Sequence, residues 1–410
     1  MLAVIAVGGS ASVVAGSLEP PPPTPVPIPG GGTSPSPFPQ ALRTPPPTAV
    51  PPRLRARSAV LIDLDTGQTL FALDPAERRP IASLTKIMTA YLVLMHARLT
   101  DLVTVSPTAA SGRIVGVSTL GLQPGERIQV RELLYALLLQ SANDAAVALA
   151  EHVGGTVAGF VQEMNRAATE LGLTRSRFVS PSGLDDRGSS TARDLALLTR
   201  AAYGLPTFGG IVATRFHQIP APAGPPRIVQ NRNALLWLFP GATGVKTGFT
   251  SAAGFCIVAA ADREDVRLLA VVLGAPGEPF SDAAALLDYG FAAFERRSLI
   301  SLGEHLGTVT IGGRQVPVAA GGALETLVPA GGRVRREIEV DPGVRYPPPR
   351  GRAIGSVTLS VSGTTIGRVP LIVTAVPPPP SPGGSGPWWR RAAGAVVEAG
   401  ASLLRALLSA

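Results

Sequence analysis

The sequence predicts an α+β fold in which an antiparallel sheet lies against a group of helices, followed by a small all-β domain. A strand–turn–strand pattern comes first, at residues 58–73, with the polar residues Asp-Thr-Gly-Gln between two apolar segments. Apolar residues at helical spacing then dominate residues 83–203. Two continuous apolar runs, 255–261 and 267–274, are typical of strands buried on both faces, and a further helix is expected at 282–295. This order of strands, helices, strands and helix indicates a sheet with helices beside it.

Changes in composition divide the 410-residue chain into six parts. We predict an apolar signal-like segment (1–18), a Pro-rich linker (19–54), a main domain (55–297), a small β-rich domain (298–376), a Pro/Gly linker (377–387) and an amphipathic helix (388–410). Proline tracts break both helices and strand ladders, so the linkers should be extended. Residues 1–18 resemble the hydrophobic region of a secretory signal, although no Lys or Arg precedes Arg43. Export from the cytoplasm follows as an expectation.

The last segment has the pattern of a helix that lies in a membrane interface. Arg391, Glu398 and Arg405 are spaced by seven and share one helical face, while Trp389 and Leu403 lie opposite. The segment is too interrupted by polar residues to span a bilayer. We therefore expect it to anchor the protein to the outer face of the cytoplasmic membrane. A helix packed on the protein's own core is the alternative.

Composition excludes several functional classes. The net charge of +8 comes from scattered arginines without interleaved aromatic residues, which favours an anionic wall or membrane over nucleic acid as the partner. Cys256 is the only cysteine, so one chain can form neither a disulfide nor a cysteine metal cluster. No His-Glu-x-x-His pattern and no Gly-x-Ser-x-Gly elbow occur. We expect no metal and no cofactor.

The first chemical motif is Ser83-Leu-Thr-Lys86, at the start of a predicted helix. A spacing of three places both side chains on one helical face, within reach of each other. The positive end of the helix favours a developing oxyanion near Ser83 and disfavours an ammonium at Lys86. Ser83 is thus a candidate nucleophile and Lys86 its base. Alone, the pattern also fits a helix-capping serine followed by a solvated lysine.

The scarcity of lysine strengthens this interpretation. Of 36 basic residues only Lys86 and Lys246 are lysines. Lysine is required where a base must give up its proton, because guanidinium keeps its proton at working pH. Two lysines falling by chance on two specified positions among the 36 would be roughly a 1-in-600 event if the choice between Lys and Arg were otherwise blind.

Two further motifs complete the candidate site. Ser141-Ala-Asn143 follows an apolar helical segment; since residues two apart do not share a helical face, both can serve one site only from a turn. Lys246-Thr-Gly248 precedes an apolar strand and fits an edge strand along a groove, where Gly248 lets a substrate backbone approach. Each motif alone also fits a structural role, as a helix cap or a turn.

In this order the three motifs resemble those of penicillin-binding proteins and β-lactamases. The likeness is strongest to the low-molecular-weight D-alanyl-D-alanine carboxypeptidases, serine peptidase family S11, and covers residues 55–295. Further matching segments are Pro80-Ile-Ala-Ser-Leu-Thr-Lys-Ile-Met-Thr, Leu139-Gln-Ser-Ala-Asn-Asp-Ala, Phe178-Val-Ser-Pro-Ser-Gly-Leu, Ser190-Thr-Ala-Arg-Asp-Leu-Ala and Gly244-Val-Lys-Thr-Gly-Phe-Thr. The resemblance implies the penicillin-recognising (β-lactamase/transpeptidase-like) fold and removal of the terminal D-alanine from peptidoglycan pentapeptide.

The resemblance also implies roles for individual residues. It assigns catalysis to three residues and substrate binding to five: Ser83, Lys86 and Ser141, and Asn143, Lys246, Thr247, Gly248 and Phe249. The serine forms the acyl-enzyme, Lys86 takes its proton, and Ser141 relays one to the leaving D-alanine. Asn143 holds the peptide, while Lys246 and Thr247 bind the terminal carboxylate. The backbone N–H groups of Ser83 and Phe249 would form the oxyanion hole. The resemblance also implies that β-lactam inhibitors bind the protein.

One departure from the family pattern leaves alternatives open. Some members carry an arginine about a dozen residues before Gly290-Phe291 that helps to bind the terminal carboxylate, and this chain has Pro279 there. A catalytically weak wall-binding protein and an endopeptidase of the same fold are therefore alternatives. A β-lactamase is a third, although the stretch 178–187 holds Asp185 and Asp186 but no glutamate to activate water.

Overall fold

The computed structural model describes residues 49–111, 117–221 and 224–376. The predicted signal-like segment, most of the first linker, the second linker and the C-terminal amphipathic segment lie outside these residues. The chain forms two compact units: the first extends to Arg296 and includes Leu327–Ala330, and the second holds Arg297–Thr326 and continues from Gly331. Among the described residues, no helix is long and apolar enough to cross a membrane.

The first unit mixes strands and helices, with one 3₁₀ turn and one π-helical turn among them. In chain order these are β1 (Ser58–Asp63), β2 (Thr69–Leu73), the 3₁₀ turn (Ala82–Thr85), α1 (Lys86–His96), β3 (Leu102–Thr104), α2 (Pro107–Ala110), β4 (Arg127–Gln129), α3 (Val130–Tyr135), the π-helical turn (Ala136–Gln140), α4 (Asn143–Gly154), α5 (Val157–Glu170), α6 (Ala192–Tyr203), α7 (Phe208–Ala213), β5 (Phe216–Ile219), β6 (Arg227–Gln230), α8 (Leu235–Leu238), β7 (Ala242–Thr250), β8 (Gly254–Arg263), β9 (Val266–Ala275) and α9 (Phe280–Ala293).

The sheet of this unit has the strand order β2-β1-β9-β8-β7, with antiparallel neighbours throughout. The two apolar runs form the strands β8 and β9. Successive residues of these strands point to opposite faces of the sheet, and each face packs against a separate hydrophobic core. Val258 and Val271 belong to the core with helices α1 and α4 to α6, whereas Ile257 and Val272 belong to the core with α9. Burial on both faces explains the missing polar alternation. The predicted α+β fold, with an antiparallel sheet and helices beside it, is confirmed.

The apolar segment before the Ser-Ala-Asn motif is broken rather than one long helix. Helix α3 continues through the π-helical turn and stops at Ser141, whose φ of 65° is left-handed. Helix α4 then begins at Asn143. A non-glycine residue rarely adopts this conformation, and such positions are concentrated at functional sites. The break places Ser141 in the turn between the two helices and Asn143 at the first residue of α4, so the two residues do not share one continuous helix.

The second unit is all β, as predicted for the small C-terminal domain. The strands from the end of the first unit onward are β10 (Phe294–Ile300), β11 (His305–Ile311), β12 (Arg314–Ala320), β13 (Leu324–Pro329), β14 (Val334–Val340), β15 (Ala353–Val361) and β16 (Thr364–Val373). Five of them form one antiparallel sheet in the order β11-β12-β16-β15-β14. Alternate apolar residues such as Val316, Val318, Val357 and Leu359 are buried.

Candidate active site

Ser83 lies in the 3₁₀ turn that leads directly into α1. The preceding residue, Ala82, has a left-handed φ of 47°, which costs of the order of 1 kcal/mol in a residue with a Cβ. The spacing of three brings the Lys86 ammonium back to the Ser83 hydroxyl: Nζ of Lys86 donates to Oγ of Ser83 at 3.0 Å. The pair therefore has the geometry of a nucleophile and its base.

Lys86 is completely buried and held by three acceptors. Besides Ser83, Nζ donates to Oδ1 of Asn143 at 2.8 Å and to the carbonyl oxygen of Ser182 at 2.7 Å. Burial lowers the pKa of Lys86 from 10.5 to about 7, with a further lowering by the nearby Arg232 cation and an opposing effect of Asp144. A substantial neutral fraction therefore exists at neutral pH, and a neutral amine can accept a proton.

The Ser-Ala-Asn turn adds two groups with different environments. Asn143 uses its oxygen for Lys86, and its Nδ2 donates to the carbonyl oxygen of Ser118 at 3.0 Å. One Nδ2 hydrogen remains for another acceptor. The Ser141 hydroxyl has no hydrogen-bond partner among the residues that the structure describes. It is therefore available to a ligand, whereas Asn143 chiefly orients Lys86.

The Lys-Thr-Gly motif lies on β7, the edge strand of the sheet. A Cβ added to Gly248 would lie 3.0 Å from the backbone nitrogen of Ser83, so glycine permits the close approach of β7 to the 3₁₀ turn. Lys246 is buried, and its Nζ donates to the carbonyl oxygen of Thr247 at 2.8 Å. Its pKa is lowered well below the ordinary value by burial, then by Lys86 and Arg232. Phe249 follows and its side chain is exposed.

Arg232 is the most important residue that the motifs did not indicate. It is half-buried, and its charge lowers the pKa of both lysines. Its Nη2 donates to the Ser118 hydroxyl at 3.1 Å, and its backbone nitrogen donates to the carbonyl oxygen of Leu139. The only available signal was its position between Asn231 and Asn233 shortly before the Lys-Thr-Gly strand. Arg232 is a third basic side chain close to the two lysines.

Asp144 holds the segment that carries Ser118. Its carboxylate accepts hydrogen bonds from the backbone N–H groups of Leu120, Gly121 and Leu122 at 2.9–3.1 Å. The charged carboxylate is thus satisfied by backbone donors rather than by a cation. It follows Asn143 directly in sequence, which is the signal that could have identified it.

The segment Pro181-Ser-Gly183 supplies the third acceptor of Lys86. Gly183 has a φ of +77°, and a Cβ there would lie 1.9 Å from the carbonyl oxygen of Ala82 and 2.6 Å from Oγ1 of Thr85. Only glycine allows this segment to pack on the 3₁₀ turn. The segment belongs to the matching sequence around Phe178, for which the motifs predict no role.

These contacts define a class of protein. A serine hydroxyl that is hydrogen-bonded to a buried lysine of lowered pKa, at the edge of an antiparallel sheet, can attack an acyl group and form an ester. The described part of the chain has no group of three His, Cys, Asp or Glu side chains placed to hold a metal ion. The geometry of the first unit is thus that of a serine acyl-transfer site, with Ser83 placed as a nucleophile and Lys86 placed as its base.

Comparison with known proteins identifies the family. A family profile described as D-alanyl-D-alanine carboxypeptidase matches residues 46–277. The carboxypeptidase DacC of Escherichia coli is 35% identical over 348 residues, which cover 80% of this chain and 85% of the relative. DacF of Bacillus subtilis is 32% identical over 77% of this chain and 84% of its own length. The structure of penicillin-binding protein 5 from Haemophilus influenzae has a TM-score of 0.69 and 32% identity, and the match covers 80% of this chain and 98% of that one. This chain belongs to the D-alanyl-D-alanine carboxypeptidase family, peptidase family S11.

Proposed function

We propose that the protein removes the terminal D-alanine from peptidoglycan pentapeptide through an ester formed on Ser83. The observation that carries this proposal is the 3.0 Å hydrogen bond from Nζ of the fully buried Lys86 to Oγ of the half-buried Ser83. Family membership supplies the substrate class. β-Lactams acylate the same hydroxyl in this proposal.

The reaction proceeds in two halves. Neutral Lys86 takes the Ser83 proton as Oγ attacks the penultimate D-alanine carbonyl, and the backbone N–H groups of Ser83 and Phe249 stabilise the oxyanion. The C–N bond then breaks, and the proton passes through the Ser141 hydroxyl to the amine of the departing D-alanine. Water attacks the ester in the second half, which releases the shortened peptide and returns the proton to Ser83. Lys86 again acts as the base.

The charge of the site supports a substrate that ends in a carboxylate. Three basic side chains lie close together in the site: Lys86, Lys246 and Arg232. Among the charges that act on Lys86, Asp144 is the only negative one. A carboxylate beside Lys246 and Thr247 would raise the pKa of Lys246 and restore its charge. Arg232 contributes positive charge that Pro279 cannot supply. We propose that Lys246, Thr247 and Arg232 bind the terminal carboxylate. Gly248 leaves room for the substrate backbone.

A β-lactamase is less well supported, because the nearby carboxylates are engaged elsewhere. Asp185 is bound to Arg187, which lowers the pKa of that carboxyl to about 2. Asp186 accepts from Oγ1 of Thr250 at 2.7 Å. Neither is hydrogen-bonded to Ser83 or Lys86.

The proposed place of action is the cell wall. Relatives that process D-alanyl-D-alanine and the apolar segment 1–18 support export, and the pattern of 388–410 supports attachment to the outer face of the cytoplasmic membrane. Both segments lie outside the described residues. The proposed partners are the peptidoglycan stem peptide, β-lactams and the membrane surface, with no nucleic acid.

Labelled penicillin and a muramyl pentapeptide test the proposal together. The wild-type protein is expected to gain one penicillin adduct and to release D-alanine from the terminal bond. Ser83→Ala should abolish both, and Lys86→Arg should do so while the protein remains folded, because the charge stays and the base is lost. An adduct that survives Ser83→Ala, or a Lys86→Arg variant that acylates at the wild-type rate, would overturn the assigned roles.

A further inference from the structure

Four arginines lie at one end of the sheet in the second unit. Arg345, Arg350 and Arg352 are exposed in the loop of residues 341–352, between β14 and β15. The end of this loop is fixed against the last strand: the backbone nitrogen of Gly351 donates to the carbonyl oxygen of Val373 at 2.9 Å. The loop therefore lies where β16 ends.

The fourth arginine reaches the same end from the β11–β12 hairpin. The backbone nitrogen of Thr374, the residue after β16, donates to the carbonyl oxygen of Pro317 in β12. Arg314 lies three residues before Pro317 in the same strand. Strand β12 therefore extends roughly 10 Å beyond the end of β16. The guanidinium of Arg314 lies over the ring of Tyr346, 4.8 Å from its centroid. A Cβ on Gly312 would lie 2.9 Å from Cβ of Tyr346. Hairpin and loop thus form one surface, which we call the arginine end (Arg314, Arg345, Arg350 and Arg352).

Most of the positive charge of this surface has no acidic partner among the described residues. Arg345, Arg350 and Arg352 form no ion pair with any residue that the structure describes, and Asp341 is the only acidic residue of the loop. Strand β14, by comparison, carries two arginines and two glutamates. Three unpaired guanidinium groups on one loop are suited to bind several anionic groups at once.

The chain leaves the second unit at this end. The described residues finish at position 376, three residues after β16. The spacer 377–387 has eleven residues, which can span at most about 35 Å when extended. It leads to the segment 388–410, whose pattern favours a membrane interface. Lipid headgroups around that segment are therefore within reach of the arginine end.

We infer that the arginine end docks on the anionic headgroups of the membrane to which the C-terminal segment attaches. Lipid phosphates are bidentate acceptors for guanidinium, and clustered basic residues near a bilayer bind anionic lipids cooperatively with an apolar anchor. The second unit thereby makes an electrostatic contact with the membrane. This inference rests on the proposed exported location but not on the proposed reaction.

Vesicle partitioning of the full-length protein tests the inference. We compare the wild type with a variant that combines Arg345→Gln, Arg350→Gln and Arg352→Gln, using vesicles of phosphatidylcholine alone and vesicles that also contain anionic phosphatidylglycerol. The variant is expected to partition into the anionic vesicles on the order of 100-fold more weakly. Neutral vesicles should bind both proteins equally, and 0.5 M salt (a Debye length of about 4 Å) should remove the difference.

The matched control removes three arginines elsewhere in the second unit: Arg333→Gln, Arg335→Gln and Arg368→Gln. It should stay within about threefold of the wild type on anionic vesicles. Equal losses in both triple variants, or no loss in the first, would overturn the inference. Selective loss of binding to isolated peptidoglycan sacculi, with vesicle binding intact, would also overturn it and assign the surface to the wall. Labelled penicillin on the same preparations reports separately on the proposed reaction.

Discussion

The pH dependence of acylation is the most direct test of Lys86 as the base. With a pKa of about 7, Lys86 is neutral in about a tenth of the molecules at pH 6 and in about nine tenths at pH 8. The second-order rate of acylation by a reporter β-lactam should therefore rise about tenfold between these values and then level off. Stopped-flow measurements of kcat/KM over pH 5–9 report the pKa in the free enzyme.

The midpoint of this pH profile is the pH at which the acylation rate is half its plateau value. Two charge variants should move it in opposite directions. The Arg232 cation lowers the pKa of Lys86 and the Asp144 carboxylate raises it. Arg232→Gln should therefore shift the midpoint to higher pH, and Asp144→Asn should shift it to lower pH. Arg232→Lys keeps the charge and serves as the control, with a midpoint close to that of the wild type.

Either of two results would refute this reasoning. One is a rate that does not change between pH 6 and pH 8, since the base would then titrate elsewhere. The other is a midpoint that moves in the same direction in Arg232→Gln and Asp144→Asn, because loss of the Ser118 contacts, not charge, would then explain both. Circular dichroism of each variant at the two pH values establishes that the fold is retained.

Two further predictions concern stability. Gly183→Ala should lower the free energy of unfolding by about 3 kcal/mol or more, because its Cβ would lie 1.9 Å from a carbonyl oxygen. Gly125→Ala, with a similar φ of +82° and no atom within 4 Å, should cost only about 1 kcal/mol; equal costs in urea unfolding would contradict the packing argument. Because the pKa of Lys86 falls from 10.5 to about 7 on folding, the unfolded chain binds one more proton between those pH values. The wild type should therefore gain about 1.4 kcal/mol per pH unit relative to Lys86→Met above pH 7 and nothing below it. A difference that stays flat between pH 7 and pH 9.5 would exclude the pKa shift.

Most of the candidate site was accessible from the sequence because its contacts are local or its composition is unusual. The hydrogen bond between Ser83 and Lys86 joins residues three apart, so helical geometry alone predicts it. Lys246 was found through the scarcity of lysine, although it lies on a different element. The break at Ser141 was predicted because Ser141 and Asn143 are two residues apart. Residues at that spacing cannot face the same site from one continuous helix.

Arg232, Ser118 and Gly183 could not be found in this way. Arginine is abundant in this chain, so one more arginine carries no signal in composition. Ser118 acts through its carbonyl oxygen as well as its hydroxyl, and every residue has a carbonyl. Gly183 is one of 46 glycines, and only its neighbours reveal that a Cβ would collide with Ala82.

The sequence by itself determined the fold class and the family and located the candidate nucleophile and base, because periodicity, motif order and residue type are local properties of the chain. Only the tertiary structure decided the charge state of the site. The pKa of Lys86 depends on complete burial and on Arg232, which is 146 positions away in the chain (232 minus 86). Desolvation and Coulomb interactions act through space, so residues that are remote in sequence set the chemistry of a motif that the sequence alone locates.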